Sequence, residues 1–203
     1  MAGASSLVGV ATWRTELPPL SGNLVRLREP AGRDVDPLTG LLSLGDATRF
    51  GLEDAVIDHS VRESIDRFAR ERASGQAFTY AIIQAGAGTL VGLIQVRQLD
   101  PTFEAAEWEC TIAPSSRGNG VFLEAARLVG SFAFDASGAH RLEARALMQH
   151  GRANGALRKL GAVQEGVLRR SVRREGEYFD EVLWSLLKED WANRRNSPGP
   201  RVH

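Results

Sequence analysis

The sequence predicts an α/β (α+β) domain, a mixed and mostly antiparallel sheet of about seven strands flanked by about four helices. Three observations carry that expectation. Strand-like runs meander early in the chain, where Phe78 to Gln84 and Thr89 to Gln98 are separated only by Ala85-Gly86-Ala87-Gly88. A strand–helix–strand crossover follows, from Ala105–Ile112 through a strongly amphipathic helix to Arg141–Leu147. Two last strands are joined by a turn at Glu175-Gly176. A doubly wound parallel sheet requires regular strand–helix alternation, which this order lacks.

Residues 1–20 are rich in Ala, Gly, Ser and Pro, and Pro18-Pro19 resists regular structure, so a flexible N-terminal arm is expected there. The folded domain is expected over 21–192. Leu24 to Arg28 reads as the first strand. Asp34 to Leu44 reads as a helix capped by Asp34 or Asp36, with Pro37 in its first turn and Gly45 at its end. Val61, Ile65, Phe68 and Ala69 follow helical spacing behind a Ser60/Glu63 capping box, up to Gly75. Val121, Phe122, Ala125, Leu128, Val129, Phe132 and Ala133 form one apolar stripe of period 3.6 that ends near Gly138. In the fifth strand Leu142, Ala144 and Ala146 share a face. Ala153 to Leu160 is a short helix closed by Gly161, and Val163–Val172 and Glu177–Leu187 are the final strands. Pro198-Gly199-Pro200 lies in a tail, 193–203, expected to be disordered.

Composition narrows the function. Lys+Arg and Asp+Glu both number 25, so the basic excess of a nucleic-acid protein is missing and no nucleic-acid partner is expected. No apolar run approaches the ~20 residues of a membrane span, so no membrane partner is expected. Cys110 is the single cysteine, which excludes an intrachain disulfide and a multi-cysteine zinc site; no metal is expected. The apolar patch Leu7 to Ala11 has no basic residues ahead of it and does not read as a signal peptide. A cytoplasmic location fits.

The most informative stretch is Arg117-Gly118-Asn119-Gly120, between the fourth strand and the amphipathic helix. Glycines at such a junction let backbone amides approach a ligand, and the helix start adds unpaired N–H groups and a positive dipole end. A phosphate or pyrophosphate suits this corner. A P-loop needs Lys-Ser/Thr after its last glycine, and here Val121-Phe122 follows. A dinucleotide fold needs a third Gly or Ala where Leu123 stands.

The strand–Arg117-Gly118-Asn119-Gly120–helix unit resembles the acetyl-CoA motif of the GNAT N-acetyltransferases, Gln/Arg-x-x-Gly-x-Gly/Ala. The Leu24–Leu27 strand, Phe134 through His140-Arg141-Leu142-Glu143-Ala144, and Leu157-Arg158-Lys159-Leu160-Gly161-Ala162 with Glu165-Gly166 resemble its RimJ/RimL-like branch, as does the Asp190-Trp191 ending. The resemblance spans residues 20–192. It implies a GNAT fold whose sheet is splayed between strands four and five, with acetyl-CoA as co-substrate in the opening. Thr111 and Ile112 would take the pantetheine, and the amides of Arg117, Gly118, Asn119, Gly120 and Val121 the pyrophosphate. It implies direct transfer of an acetyl group to a primary amine, with a protein N-terminal α-amine suggested. A small-molecule amine or antibiotic, or a non-catalytic acyl-CoA-binding module, is the alternative. Homodimers occur among such chains.

There are departures. Phe122 stands where a small residue is usual, so it must point into the core if the amides are to face the pyrophosphate. Ala162 replaces an aromatic. His150 and Ala153 replace an Asn and a Ser, and Asn154 stands nearby as a substitute cofactor contact.

The reaction needs a neutral amine, hence a proton acceptor. Glu107 and Glu109, two residues apart on one strand face, are the candidate bases. Tyr178 is the candidate proton donor to the thiolate. His150, at the end of the fifth strand, borders the opening. Cys110, His140, Trp108 and Trp184 read as packing or turn residues. The run Arg169-Arg170 and Arg173-Arg174 reads as a solvated hairpin or as steering for an acidic acceptor or the adenosine 3′-phosphate of the cofactor.

Overall fold

The structure, a computed structural model, describes residues 13–43, 58–174 and 176–196. In chain order the elements are β1 (Leu20–Ser21), β2 (Val25–Arg28), α1 (Val35–Leu42), α2 (Asp58–Ser74), β3 (Ala77–Gln84), β4 (Leu90–Gln98) and β5 (Ala105–Ile112). They continue as α3 (Val121–Phe132), β6 (Arg141–Leu147), α4 (Gly151–Leu160), β7 (Val163–Arg174), β8 (Glu177–Leu187) and α5 (Lys188–Asn196). The strands form one sheet in the order β1-β2-β3-β4-β5-β6-β8-β7. All neighbours run antiparallel except β5 and β6, which the α3 crossover makes parallel.

Side-chain alternation splits the core into two layers. On β4, Leu93 turns to one face and packs with Val35, Leu38, Val61 and Phe68 of α1 and α2. Ile94 and Val96 turn to the other face, where Phe78, Tyr80 and Trp108 meet Val121, Ala125, Val129 and Phe132 of α3 and Leu157 and Leu160 of α4. Trp191 of α5 lies against the bare backbone of Gly130 and the ring of Phe134, docking α5 on α3.

Four details differ from the sequence reading. First, the sheet gains the two-residue β1, which begins at the last residue of the expected arm. Residues 13–20 pack on the body: Trp13 is buried with its ring centroid 5.5 Å from those of Phe78 and Phe103, and Leu17 is buried beside it. Pro18 cannot donate to a ladder, but its carbonyl accepts from the Tyr80 hydroxyl at 3.0 Å, so extended Pro-rich chain is held without regular structure. Second, α5 continues to Asn196, into the expected tail. Third, Asp34 precedes α1 without capping it through its side chain; its carboxylate turns back to the Arg28 fork (2.7 Å to each oxygen) and the Ala31 amide. Fourth, Ser60 and Glu63 lie within α2 rather than at its start. Residues 1–12, the expected α1 ending at Leu44-Gly45, and 197–203 lie outside the described residues. Among the described residues no helix is long and apolar enough to cross a membrane.

Candidate active site

The parallel step opens the sheet. β5 and β6 are paired at Ala105–Arg141, Ala106–Leu142 and Glu107–Glu143, and there the ladder ends, although β5 runs on to Ile112 and β6 to Leu147. Strands diverging beyond a short ladder leave backbone N–H and C=O groups facing a gap, where an extended ligand can pair with them. The gap holds a cavity of about 780 Å³ lined by Trp108 to Ile112 on one side and Ala144 to Leu147 on the other. Gly92 lets β5 sit close to β4 here, since a Cβ at that position would lie 2.6 Å from the Thr111 carbonyl oxygen.

Beyond Ile112 a 3-10 turn, Pro114–Ser116, leads into the glycine corner. Gly118 (φ 90°) and Gly120 (φ 81°) are both left-handed, a conformation costing other residues about 1 kcal/mol or more. Gly120 is also the cap residue of α3, so the unpaired first-turn amides of Val121, Phe122 and Leu123 begin directly behind the corner. Arg117 lines the cavity while its Nε–H donates to the Ile112 carbonyl at 2.8 Å, tying the corner to the end of β5.

The corner is braced from behind by a residue that sequence reasoning passed over. The Glu124 carboxylate, in the first turn of α3, accepts from the amides of Asn23 (3.0 Å), Leu24 (2.6 Å) and Val25 (2.8 Å). Gly22 makes room for it, since a Cβ there would lie 2.4 Å from Glu124 Cδ. An acidic residue in the first helical turn was the visible signal, but its partners lie 99 to 101 positions away.

The expected residues divide by position. Glu109, Thr111, Ile112, Arg117, Gly118, Gly120 and His150 all line the cavity. Asn119, Val121, Asn154, Glu107 and Tyr178 are outside its lining. Val121 is buried in the larger core. Phe122, expected in the core, does both: it packs against the core and forms cavity wall. His150 caps α4, its Nδ1 accepting from the Ala153 amide at 3.1 Å, so the neutral ring carries its proton on Nε2.

Asn154 is enclosed. Its Nδ2 donates to the carbonyls of Leu147 (2.9 Å) and His150 (3.1 Å), and its Oδ1 accepts from Trp184 Nε1 at 2.9 Å. The side chain therefore clamps the β6–α4 turn to β8 rather than reaching the cavity, in contrast to the expected cofactor contact. Tyr178 is 60% exposed on the β7–β8 hairpin, with Arg173 over its ring. Glu107 is ion-paired with Arg145 at 3.2 Å. Burial pushes its carboxyl above the usual carboxylate range, against the opposing pull of Arg145. Of the two expected bases, Glu109 is the one in the cavity wall. The remaining charged lining is cationic, with Arg117, Arg145, Arg152, Lys159 and Arg174, an electrostatic setting suited to a polyanion.

An open sheet whose one parallel step is splayed, with a glycine corner and a helix N-terminus at the mouth, defines a class of α/β fold with an opening shaped for an extended, anionic ligand between two strands. The acetyltransferase (GNAT) domain model matches residues 25–163, and the chain belongs to that family. It is 27% identical over 172 residues to YoaA of Bacillus subtilis (strain 168), described as an uncharacterized N-acetyltransferase, covering 84% of this chain and 97% of that one. Two solved structures share the fold. The ribosomal-protein-S5-alanine acetyltransferase of Vibrio fischeri superposes with a TM-score of 0.74 at 15% identity, covering 86% of this chain and 98% of that one. The microcin C7 self-immunity acetyltransferase MccE, solved with acetyl-CoA and AMP, gives 0.72 at 15% identity over 82% and 93%. The protein is an acetyltransferase of the GNAT family.

Proposed function

We propose that this enzyme transfers the acetyl group of acetyl-CoA to a primary amine, with a protein N-terminal α-amine as the acceptor. The cavity between β5 and β6, closed at one end by the glycine corner, carries the reading. Acetyl-CoA, when bound, supplies the acyl group activated as a thioester. The backbone of β5 at Thr111 and Ile112, past the end of the β5–β6 ladder, holds the pantetheine as a neighbouring strand would. The amides of Gly118 to Val121 and the positive end of α3 hold the pyrophosphate. Glu109, on the same wall, accepts the proton that an ammonium acceptor must lose before it attacks. A protein acceptor is supported by the Vibrio fischeri fold relative, a ribosomal-protein-S5-alanine acetyltransferase, and its N-terminal amine by a fold relative named as a ribosomal L7/L12 alpha-N-protein acetyltransferase.

The test is acetyl-CoA turnover, followed as released thiol, against unblocked and N-acetylated peptides, aminoglycosides and polyamines. Turnover confined to peptides with a free N-terminus is the expected result. Turnover confined to small amines refutes the acceptor assignment, and no acceptor-dependent thiol across the panel refutes the catalytic reading.

A further inference from the structure

The basic run of the last hairpin divides in the structure. The Arg173 guanidinium lies over the Tyr178 ring, 5.8 Å from its centroid, and the Arg170 amide is held by Asp180 Oδ1 at 2.8 Å. Of the run's four arginines, Arg174 is the one that lines the cavity. Its position needs explaining, because β7 is the edge strand and β8 and β6 stand between it and the gap. The explanation is a built bend. The β7–β8 register shifts between Leu168 and Val172, and Arg170 adopts φ 50°, a left-handed value that costs a non-glycine residue about 1 kcal/mol. Asp180 on the Arg170 amide and a Ser171 hydroxyl donated to Glu181 at 2.9 Å fix the bulge in place. Beyond this bulge the hairpin tip carries Arg174 into the cavity lining.

The registers also fix which side Arg174 comes from. Arg174 stands opposite Glu177, which shares a β8 face with Glu181, Leu183 and Ser185. Leu183 and Ser185 stand opposite Arg145 and Glu143, and Glu143 opposite Glu107. Arg174 is therefore on the α1/α2 face with Glu107, Glu109 and Arg145. The glycine corner and α4 belong to the other face, where Trp108 and Ala144 pack. Arg145 is engaged by Glu107. Among the described residues, the cation on the face of the expected base that lines the cavity without that pairing is Arg174.

We propose that Arg174 is a specificity residue that receives a carboxylate carried by the acceptor, so that amines next to an acidic group are preferred. The proposal rests on the acetyltransferase reading and names the substrate class for it. A guanidinium takes a carboxylate through two parallel hydrogen bonds, and a contact of this kind is worth roughly ten- to hundredfold in discrimination. The carboxylate could belong to an acidic side chain near a peptide N-terminus or to the α-carboxylate of a free amino acid.

The experiment compares kcat/KM for peptides that differ only by Asp or Asn at their second residue, together with free amino acids and their amides, at saturating acetyl-CoA. Wild type is expected to favour the acidic peptide or the free acid at least tenfold, and whichever pair shows the preference identifies the source. Arg174→Ala should bring that ratio close to one with KM for acetyl-CoA unchanged, Arg174→Lys should restore part of it, and Arg169→Ala should leave it intact. A ratio that survives Arg174→Ala overturns the proposal. So does a raised KM for acetyl-CoA that disappears with 3′-dephospho-acetyl-CoA, which would assign Arg174 to the cofactor. Equilibrium binding of the same peptides in the presence of CoA separates the two readings. Absent turnover with acid-selective binding lost in Arg174→Ala refutes catalysis and supports the anion site, and binding without selectivity refutes the anion site.

Discussion

Replacing Asn154 with alanine separates a structural clamp from a cofactor contact. The change leaves the Trp184 indole N–H, on a side chain only 3% exposed, without its acceptor. An unpaired buried donor costs about 1–3 kcal/mol. The Leu147 and His150 carbonyls lose a donor too, though each keeps a backbone amide, His150 N–H on the Leu147 oxygen at 2.8 Å and Asn154 N–H on the His150 oxygen at 3.1 Å. Together the loss is about 2–4 kcal/mol, which for a chain of this length lowers Tm by roughly 5–15 °C. Differential scanning calorimetry without ligand reads that shift directly. Repeated with saturating acetyl-CoA, it should give the ligand-induced rise of the wild type, because the side chain faces away from the cavity. An Asn154→Ala enzyme with wild-type Tm and a lost ligand-induced rise would refute the reasoning and return Asn154 to the cofactor.

Other perturbations probe the brace, the base and the charge network. Glu124→Ala removes the acceptor of three partly solvated amides and should cost about 1–3 kcal/mol in chemical denaturation. Gly22→Ala, whose Cβ would collide with the same carboxylate, should show a similar loss; full stability in both would remove the brace from the account. Glu109→Gln should lower kcat by at least tenfold at neutral pH while KM for acetyl-CoA holds, and an unaffected kcat would exclude it as the base. Glu107 has its folded pKa raised by burial above the ordinary 4.5, so the folded state binds more proton than the unfolded one between those values. Stability should therefore fall as pH rises through that window, a slope absent in Glu107→Gln when unfolding is measured from pH 4 upward. Glu165 behaves oppositely. The Arg141 fork, helped by Ser185, draws its pKa from 4.5 to about 2, so its stabilisation is present above pH 4.5 and fades as pH falls toward 2. Because Glu165 is partly solvated, Glu165→Gln should cost about 1 kcal/mol at pH 7, and no loss would mean that water screens the pair fully.

What the sequence made legible was local. The glycine corner announces itself because two left-handed positions need glycine within four residues, and the α3 stripe because a buried face must repeat every 3.6 residues. The meander and the crossover set the strand order, and the splay came with the family resemblance. What stayed hidden was set by distant partners. Trp13 sits among small and proline residues that give no period, and its burial depends on Phe78 and Phe103. Asn154 looked like a ligand contact because it follows β6; its partner Trp184 is 30 residues downstream. Arg174 could not be told from the other three arginines of its run, solvated or steering, because a bulge at Arg170 leaves no mark in the sequence. Glu107 and Glu109 share one strand face in the sequence, with Glu109 the leading candidate base. The position of Arg145 and the end of the β5–β6 ladder at Glu107 separate them.

The central claim is that the corner at Gly118 and Gly120 holds the pyrophosphate of acetyl-CoA. Gly118 offers the direct test, because a Cβ there meets nothing within 4 Å and Asp and Asn tolerate its left-handed backbone. Isothermal titration calorimetry of acetyl-CoA should show at least tenfold weaker binding by Gly118→Asp than by the neutral, equally sized Gly118→Asn, with both variants keeping the same Tm, because a carboxylate repels a phosphate held at the same corner. Equal affinities for the two variants would place the pyrophosphate elsewhere and contradict the account.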